Sequence, residues 1–142
     1  MLERAISIAV EAHSGQVDKG GHPYILHPLR VMMAVSSTEE KIVAVLHDVV
    51  EDSSWTFEAL SEEGFSDEVV TALKSVTKTS ESEDYDSFIE RAKCNAIGKA
   101  VKIADLRDNM DITRIPNLTE KDSLRLTKYQ RALQRLESLS SI

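Results

Sequence analysis

The chain has 142 residues, 42% of them hydrophobic and 29% charged, with one cysteine and a formal net charge of −7. That size and balance predict a single compact globular domain over residues 1–142 and exclude disordered and collagen-like classes. A net negative chain is a poor match to a nucleic-acid backbone, Cys94 alone can form neither an intrachain disulfide nor a thiolate cluster, and the longest aliphatic run, Ile42 to Leu46, is far short of the roughly 18 apolar residues of a membrane span. Glu3 and Glu11 deny the N-terminus the basic and apolar regions of a signal peptide, so a cytoplasmic protein without nucleic-acid or membrane partners is expected.

Apolar residues Leu2, Ile6, Ala9 and Val10 recur at helical spacing up to Ser14-Gly15, which predicts a first helix over 2–13. Glycines 15, 20 and 21 and Pro23 mark a loop over 14–26, and Pro28 suits the first turn of a second helix carrying Leu29, Met32, Met33 and Val35. Thr38, followed by Glu39 and Glu40, is expected to cap a third helix that carries Ile42 to Val50. Thr56 and Gly64 bracket a short fourth helix, and Ser66 opens a fifth through Val76.

Residues 77–84 have no apolar side chain and read as an exposed loop. Tyr85, Phe88, Ile89 and Ala92 give a sixth helix, and Ile97 to Met110 a seventh that must stop before Pro116. Thr119 with Asp122 forms a capping-box pattern for a last helix striped by Leu126, Tyr129, Leu133 and Leu136. With no strand pattern, the expected architecture is an all-α bundle of about eight helices. The Met32-Met33 and Leu126-Leu133 stripes fit a homo-oligomer interface and a monomer core equally well.

Charge is unevenly distributed. Residues 39–90 carry fifteen acidic side chains against three basic ones, whereas residues 91–142 carry six against eleven. Such a split suits a site in which carboxylates hold a cation and separate cations hold phosphate, although solvated helix faces would produce it too.

The third helix ends in His47-Asp48-Val-Val-Glu51-Asp52, with His47 and Glu51, and Asp48 and Asp52, each four residues apart on adjoining faces. Three carboxylates at a helix C-terminus oppose the dipole and call for a compensating cation, unless the cluster is a polar helix end in water. His27 stands before Pro28, where the helix start can fix the imidazole direction. Asp105 lies in the apolar stretch Ala100 to Leu106, with Asn109 one turn on, and a buried carboxylate needs a partner, whether a metal, Lys102 or Arg107. Together His27, His47, Asp48 and Asp105 offer two nitrogens and at least two oxygens, a set suited to Mn²⁺, Fe²⁺ or Zn²⁺ rather than Ca²⁺. Glu51 and Asp52, one turn beyond, would position a metal-activated water or move its proton.

This order of His, His-Asp and Asp on separate helices resembles the HD superfamily of metal-dependent phosphohydrolases. Ala12 to Pro28 closely resembles the opening motif of the RelA/SpoT-type hydrolase domain, which removes pyrophosphate from ppGpp and pppGpp. Leu46 to Ser53 and Val101 to Asp105 with Asn109 resemble its later motifs. With no companion synthetase segment, the chain resembles the stand-alone small alarmone hydrolases. The resemblance implies an HD-domain helical bundle, Mn²⁺ on His27, His47, Asp48 and Asp105, and a catalytic acidic pair in Glu51 and Asp52. It further implies a nucleotide pocket lined by Lys19, Tyr24 and Asn109, with Arg125 and Tyr129 meeting substrate phosphate and ribose; the alternative is a core Tyr129 and a surface Arg125. Asp18 departs from the family, which typically has an arginine there that packs on guanine, and Thr113 does not stand at the family's usual offset from Asn109. A carboxylate cannot stack as a guanidinium does, so other nucleotides, an adenine alarmone or NADPH, stay open as substrates. A nucleotide sensor without turnover is the non-enzymatic alternative.

Overall fold

A computed structural model describes residues 1–78 and 80–138. Among these residues there are nine α-helices, one 3-10 turn and no β-strand: α1 (Leu2–Ala12), α2 (Leu26–Met33), α3 (Thr38–Leu46), α4 (Val49–Asp52), α5 (Phe57–Glu62), α6 (Asp67–Ser75), α7 (Tyr85–Lys93), α8 (Ala96–Asn109), the turn Ile112–Arg114, and α9 (Glu120–Glu137). The all-α expectation holds.

Side-chain caps set most of the helix starts. Thr56, Ser66, Asp84 and Asn95 each accept a backbone N–H three residues on, and Thr119 and Asp122 form the expected reciprocal box. Ser37 rather than Thr38 caps α3: its hydroxyl accepts from Glu40 N, and the Glu40 carboxylate accepts from Ser37 N. The second helix starts at Leu26, placing His27 as well as Pro28 in its first turn, and ends before Val35.

The helix expected to run to Val50 is divided. Both the backbone N–H and the ring Nδ1 of His47 meet the Ala44 carbonyl, at 3.4 and 2.6 Å, and the chain turns through His47 and Asp48 before α4 restarts at Val49. The loop expectation at 77–84 is corrected at Thr77, which is buried and donates its hydroxyl to the Leu73 carbonyl at 2.7 Å. Thr79 lies outside the described residues.

Helix α3, buried from Ile42 to Leu46, is the hub: α1, α2, α6 and α8 pack on it. Helix α8 joins that hub to α7 and α9, and Leu106, Ile89 and Leu136 close the core between them. From the last helix's stripe Leu136 is fully buried and Tyr129 and Leu133 are partly so, while Met33 on α2 is 72% exposed. This packing brings the first turn of α2, the end of α3 and the middle of α8 to one point.

The approach of α8 to α6 depends on Gly98, where a Cβ would lie 2.0 Å from Ser75 Oγ and 3.3 Å from Ser75 Cβ. Gly98→Ala is therefore expected to destabilise the fold by about 1–3 kcal/mol through overpacking, read as a lower urea midpoint at unchanged slope; a midpoint equal to the parent's would show that α6 yields freely.

Candidate functional site

Two histidines face each other across the α2, α3 and α8 junction, with ring centroids 5.3 Å apart. At the end of α3, His47 gives its Nδ1 proton to the Ala44 carbonyl, so that in the neutral ring the lone pair is on Nε2. That nitrogen is buried and has no hydrogen-bond partner among the described residues, yet it lies 3.1 Å from Asp48 Oδ2 and 3.3 Å from Asp105 Oδ1. On α2, His27 Nδ1 meets Asp108 Oδ2 at 2.6 Å, and Nε2 lies 3.0 Å from Asp105 Oδ1. In the neutral rings these lone pairs converge on carboxylate oxygens, a repulsion that protons or a metal cation relieve, and ligand atoms of His27, His47 and Asp48 all lie within 4.8 Å of one another. The donor set fits a divalent metal.

The flanking bonds fix the carboxylates. Lys102, half-buried and 4.9 Å from the Phe88 ring centroid, donates to Asp105 Oδ2 at 2.9 Å, while Asn109 donates to Oδ1 at 3.1 Å. The Lys102 alternative and the metal-facing position are thus met by different oxygens of one carboxylate; Arg107 pairs with Glu137 instead. The Tyr24 hydroxyl donates to Asp48 Oδ2. Burial pushes the Asp105 and Asp48 carboxyls up, but Lys102 and His47 hold Asp105 well below the usual range, and His47 and Tyr24 carry Asp48 down to about 2. Burial disfavours charge on His47, yet Asp48 and Asp105 raise its pKa well above the ordinary value, the signature of a strong negative field at this point.

Glu51 and Asp52 lie in the first turn of α4, not at the end of α3. Glu51 Oε1 accepts from Lys78 N at 2.6 Å, tying α4 to the segment after α6. Burial, with the charges of Asp48 and Asp52, raises the Glu51 carboxyl above its ordinary value, against the pull of Lys78 N–H; burial and Asp48 raise Asp52 likewise.

A cleft of about 280 Å³ opens from His27, and Lys19, Tyr24, Asn109, Arg125 and Tyr129 all line it. Lys19 and Arg125 share Asp122, at 3.7 and 3.1 Å. The loop wall is tight: Asp18 Oδ1 accepts from Gly20 N and His22 N, both at 2.9 Å, and a Cβ on Gly20 would come within 2.5 Å of the Arg114 carbonyl. Sequence reasoning missed Arg30, Asp108 and Arg114, which also line the cleft, and Asp122. The only signal for the first two was spacing, Arg30 three residues after His27 and Asp108 three after Asp105.

The HD domain family profile matches residues 5–114, and the chain belongs to that family. It is 35% identical over 126 residues to a probable GTP pyrophosphokinase of Mycobacterium leprae, covering 80% of this chain and 16% of that one. It is 32% identical over 118 residues to a guanosine-3′,5′-bis(diphosphate) 3′-pyrophosphohydrolase of Aquifex aeolicus, covering 78% and 17%. The chain thus spans about a sixth of the length of these curated relatives. Its fold superposes with a TM-score of 0.78, at 23% identity and over 95% of this chain and 84% of the other, on a solved structure described as "A metazoan ortholog of SpoT hydrolyzes ppGpp and plays a role in starvation responses".

Chelator-stripped protein is expected to take up one divalent ion per chain by calorimetry, and Asp48→Asn to lose that uptake while its helical circular dichroism stays at the parent's level. Uptake unchanged in Asp48→Asn would remove Asp48 from the ligand set.

Proposed function

We propose that this chain is a divalent-metal hydrolase that removes pyrophosphate from the 3′-diphosphate of a guanosine alarmone, ppGpp or pppGpp, leaving GDP or GTP, with Mn²⁺ as the ion. The observation that carries the reading is the buried, unpartnered Nε2 of His47 facing Asp48 and Asp105 beside a cleft lined with cations. The relatives named as pyrophosphohydrolases and the ppGpp-hydrolysing structural neighbour support the choice of substrate.

An ion held by His27, His47, Asp48 and Asp105 would supply Lewis acidity and a water acidified enough to attack at neutral pH. Glu51 or Asp52 would take up a proton from the attacking water, whose target is the phosphorus joined to the ribose 3′ oxygen. The bond between them breaks, and the 3′ oxygen regains a proton as pyrophosphate departs. Lys19, Arg30, Arg114 and Arg125 meet the charged phosphates, and phosphoryl transfer depends mainly on such positioning and charge neutralisation. Tyr24 and Asn109 hold Asp48 and Asp105 from the cleft side. Their role is to keep two carboxylates directed inward.

One observation favours a wider base choice. The Asp18 carboxylate is engaged by the two loop N–H groups, so at this position a turn cap stands where a stacking guanidinium would grip guanine. An adenine 3′-diphosphate is the second substrate this favours.

The test is a panel of ppGpp, pppGpp, ppApp, NADPH and common nucleoside phosphates incubated with the stripped protein with and without Mn²⁺, the products resolved by chromatography. Pyrophosphate released from the 3′-diphosphates only with Mn²⁺ is expected; no product from folded, metal-loaded protein would leave the chain a nucleotide sensor. Glu51→Gln should retain the ion and lower kcat by about two to four orders of magnitude. Because burial raises the Glu51 pKa above 4.5, the parent's rate should be full above that raised value and fall as pH drops through it. Loss of this acid limb in Glu51→Gln, measured as kcat against pH, checks the assignment.

A further inference from the structure

The two inward-facing histidines are held in different ways. His47 gives its Nδ1 proton to a backbone carbonyl of its own helix, a partner no side-chain change removes. The His27 ring meets side chains instead: Asp108 Oδ2 lies 2.6 Å from its Nδ1. Asp108 is itself clamped, since Arg30 Nε donates to Oδ1 at 2.8 Å and Arg30 Nη2 to Oδ2 at 3.1 Å. Arg114 Nη2 donates to the Asp108 carbonyl at 2.7 Å and stands 3.4 Å from Oδ2. Both carboxylate oxygens are therefore committed to cations and to His27.

We propose that Asp108 is a positioning residue for His27: its carboxylate takes the Nδ1 proton and, fixed by Arg30 and Arg114, aims Nε2 as the nitrogen that would coordinate a divalent cation. The inference rests on the metal reading above. A carboxylate accepts and cannot donate when ionised, so this contact keeps a proton on Nδ1 and leaves Nε2, 3.0 Å from Asp105 Oδ1, as the nitrogen that would exchange its own proton for a cation. The negative charge behind the ring also raises the basicity of Nε2, as carboxylates behind metal-bound imidazoles do. Arg30 makes the arrangement stiff. It follows His27 by three residues on α2, so two side chains of one helix face grip one carboxylate of α8. His27 is 6% and Asp108 12% exposed, so water competes little for these bonds.

A purely structural role, a bridge from α2 to α8, would change the stability of the metal-free chain and leave metal affinity per folded molecule untouched. The two are separated by measuring Zn²⁺ affinity by competition with a chromophoric chelator, thermal stability without metal, and ring ¹⁵N–¹H spectra of the zinc-loaded chain. Asp108→Ala is expected to weaken Zn²⁺ binding about 10- to 100-fold and to abolish the protected His27 Nδ1–H resonance. Asp108→Asn keeps an oxygen acceptor for that proton and should recover most of the affinity. Arg30→Met leaves Asp108 in place but loosens it, and should bind more weakly than the parent and more tightly than Asp108→Ala. Should Asp108→Ala fail to fold, Arg30→Met decides: weaker binding with the Nδ1–H signal broadened supports the proposal, and parental affinity overturns it. A parent that binds Zn²⁺ with a folded Asp108→Ala binding equally well overturns this inference alone. A parent that takes up no ion overturns the metal site itself, and this inference with it.

Discussion

The Ala44 carbonyl receives two N–H groups of His47, one from the backbone and one from the ring, and this doubled demand ends α3 inside the core. In an uninterrupted helix that carbonyl would accept from Asp48 N. With the carbonyl taken, the chain turns, and three consequences follow from one bond. The proton on His47 Nδ1 leaves Nε2 bare, Asp48 swings toward the same point, and α4 begins afresh so that Glu51 and Asp52 occupy a first turn.

Around this break the molecule keeps charges that it could not otherwise bury. Asp105 is 4% exposed, and an ionised carboxylate at that depth is unstable without partners. Lys102 supplies one, desolvated against the Phe88 ring, and Asn109 another. Neither separates Asp105 Oδ1 from the two imidazole nitrogens, 3.0 and 3.3 Å away, and His47 Nε2 there has no hydrogen-bond partner among the described residues. The arrangement is costly for a bundle that needs only a core, since a hydrophobic replacement of buried ionic groups is often neutral or stabilising. Its retention makes sense where a cation completes it.

The sequence revealed those parts of the fold and site that local chemistry decides. Thr56, Ser66 and Thr119 cap helices because their hydroxyls satisfy the next N–H groups, and that is visible in a few residues. His27, His47, Asp48 and Asp105 could be grouped because each is a polar residue set in an apolar or glycine-bounded stretch. What stayed hidden depends on contacts between distant elements. Apolar residues resume at Val49 and Val50 directly after His47-Asp48, so periodicity favours one helix; a side chain competing for a backbone carbonyl leaves no mark on it. Arg30 and Asp108, 78 positions apart, each read as solvated charge on its own helix, and only the packing of α2 on α8 makes them a pair. Thr77 reads as loop, but its hydroxyl has a carbonyl to bond at the end of α6, so burial carries no unsatisfied donor.

The cleft extends the same logic to its cations. Lys19 and Arg125 are both held toward Asp122, and Arg30 and Arg114 toward Asp108, so every one of these four has a carboxylate neighbour. A lysine or arginine free in solvent loses rotamer entropy when it meets a phosphate. Here that freedom is already reduced, and an incoming phosphate meets donors held near one cleft. The same carboxylates weaken the net field, so a single phosphate gains little, whereas a ligand with several phosphates engages several cations at once. Under the proposed function, this pairing of the cations would favour polyphosphorylated nucleotides, independently of which base the loop around Asp18 accepts.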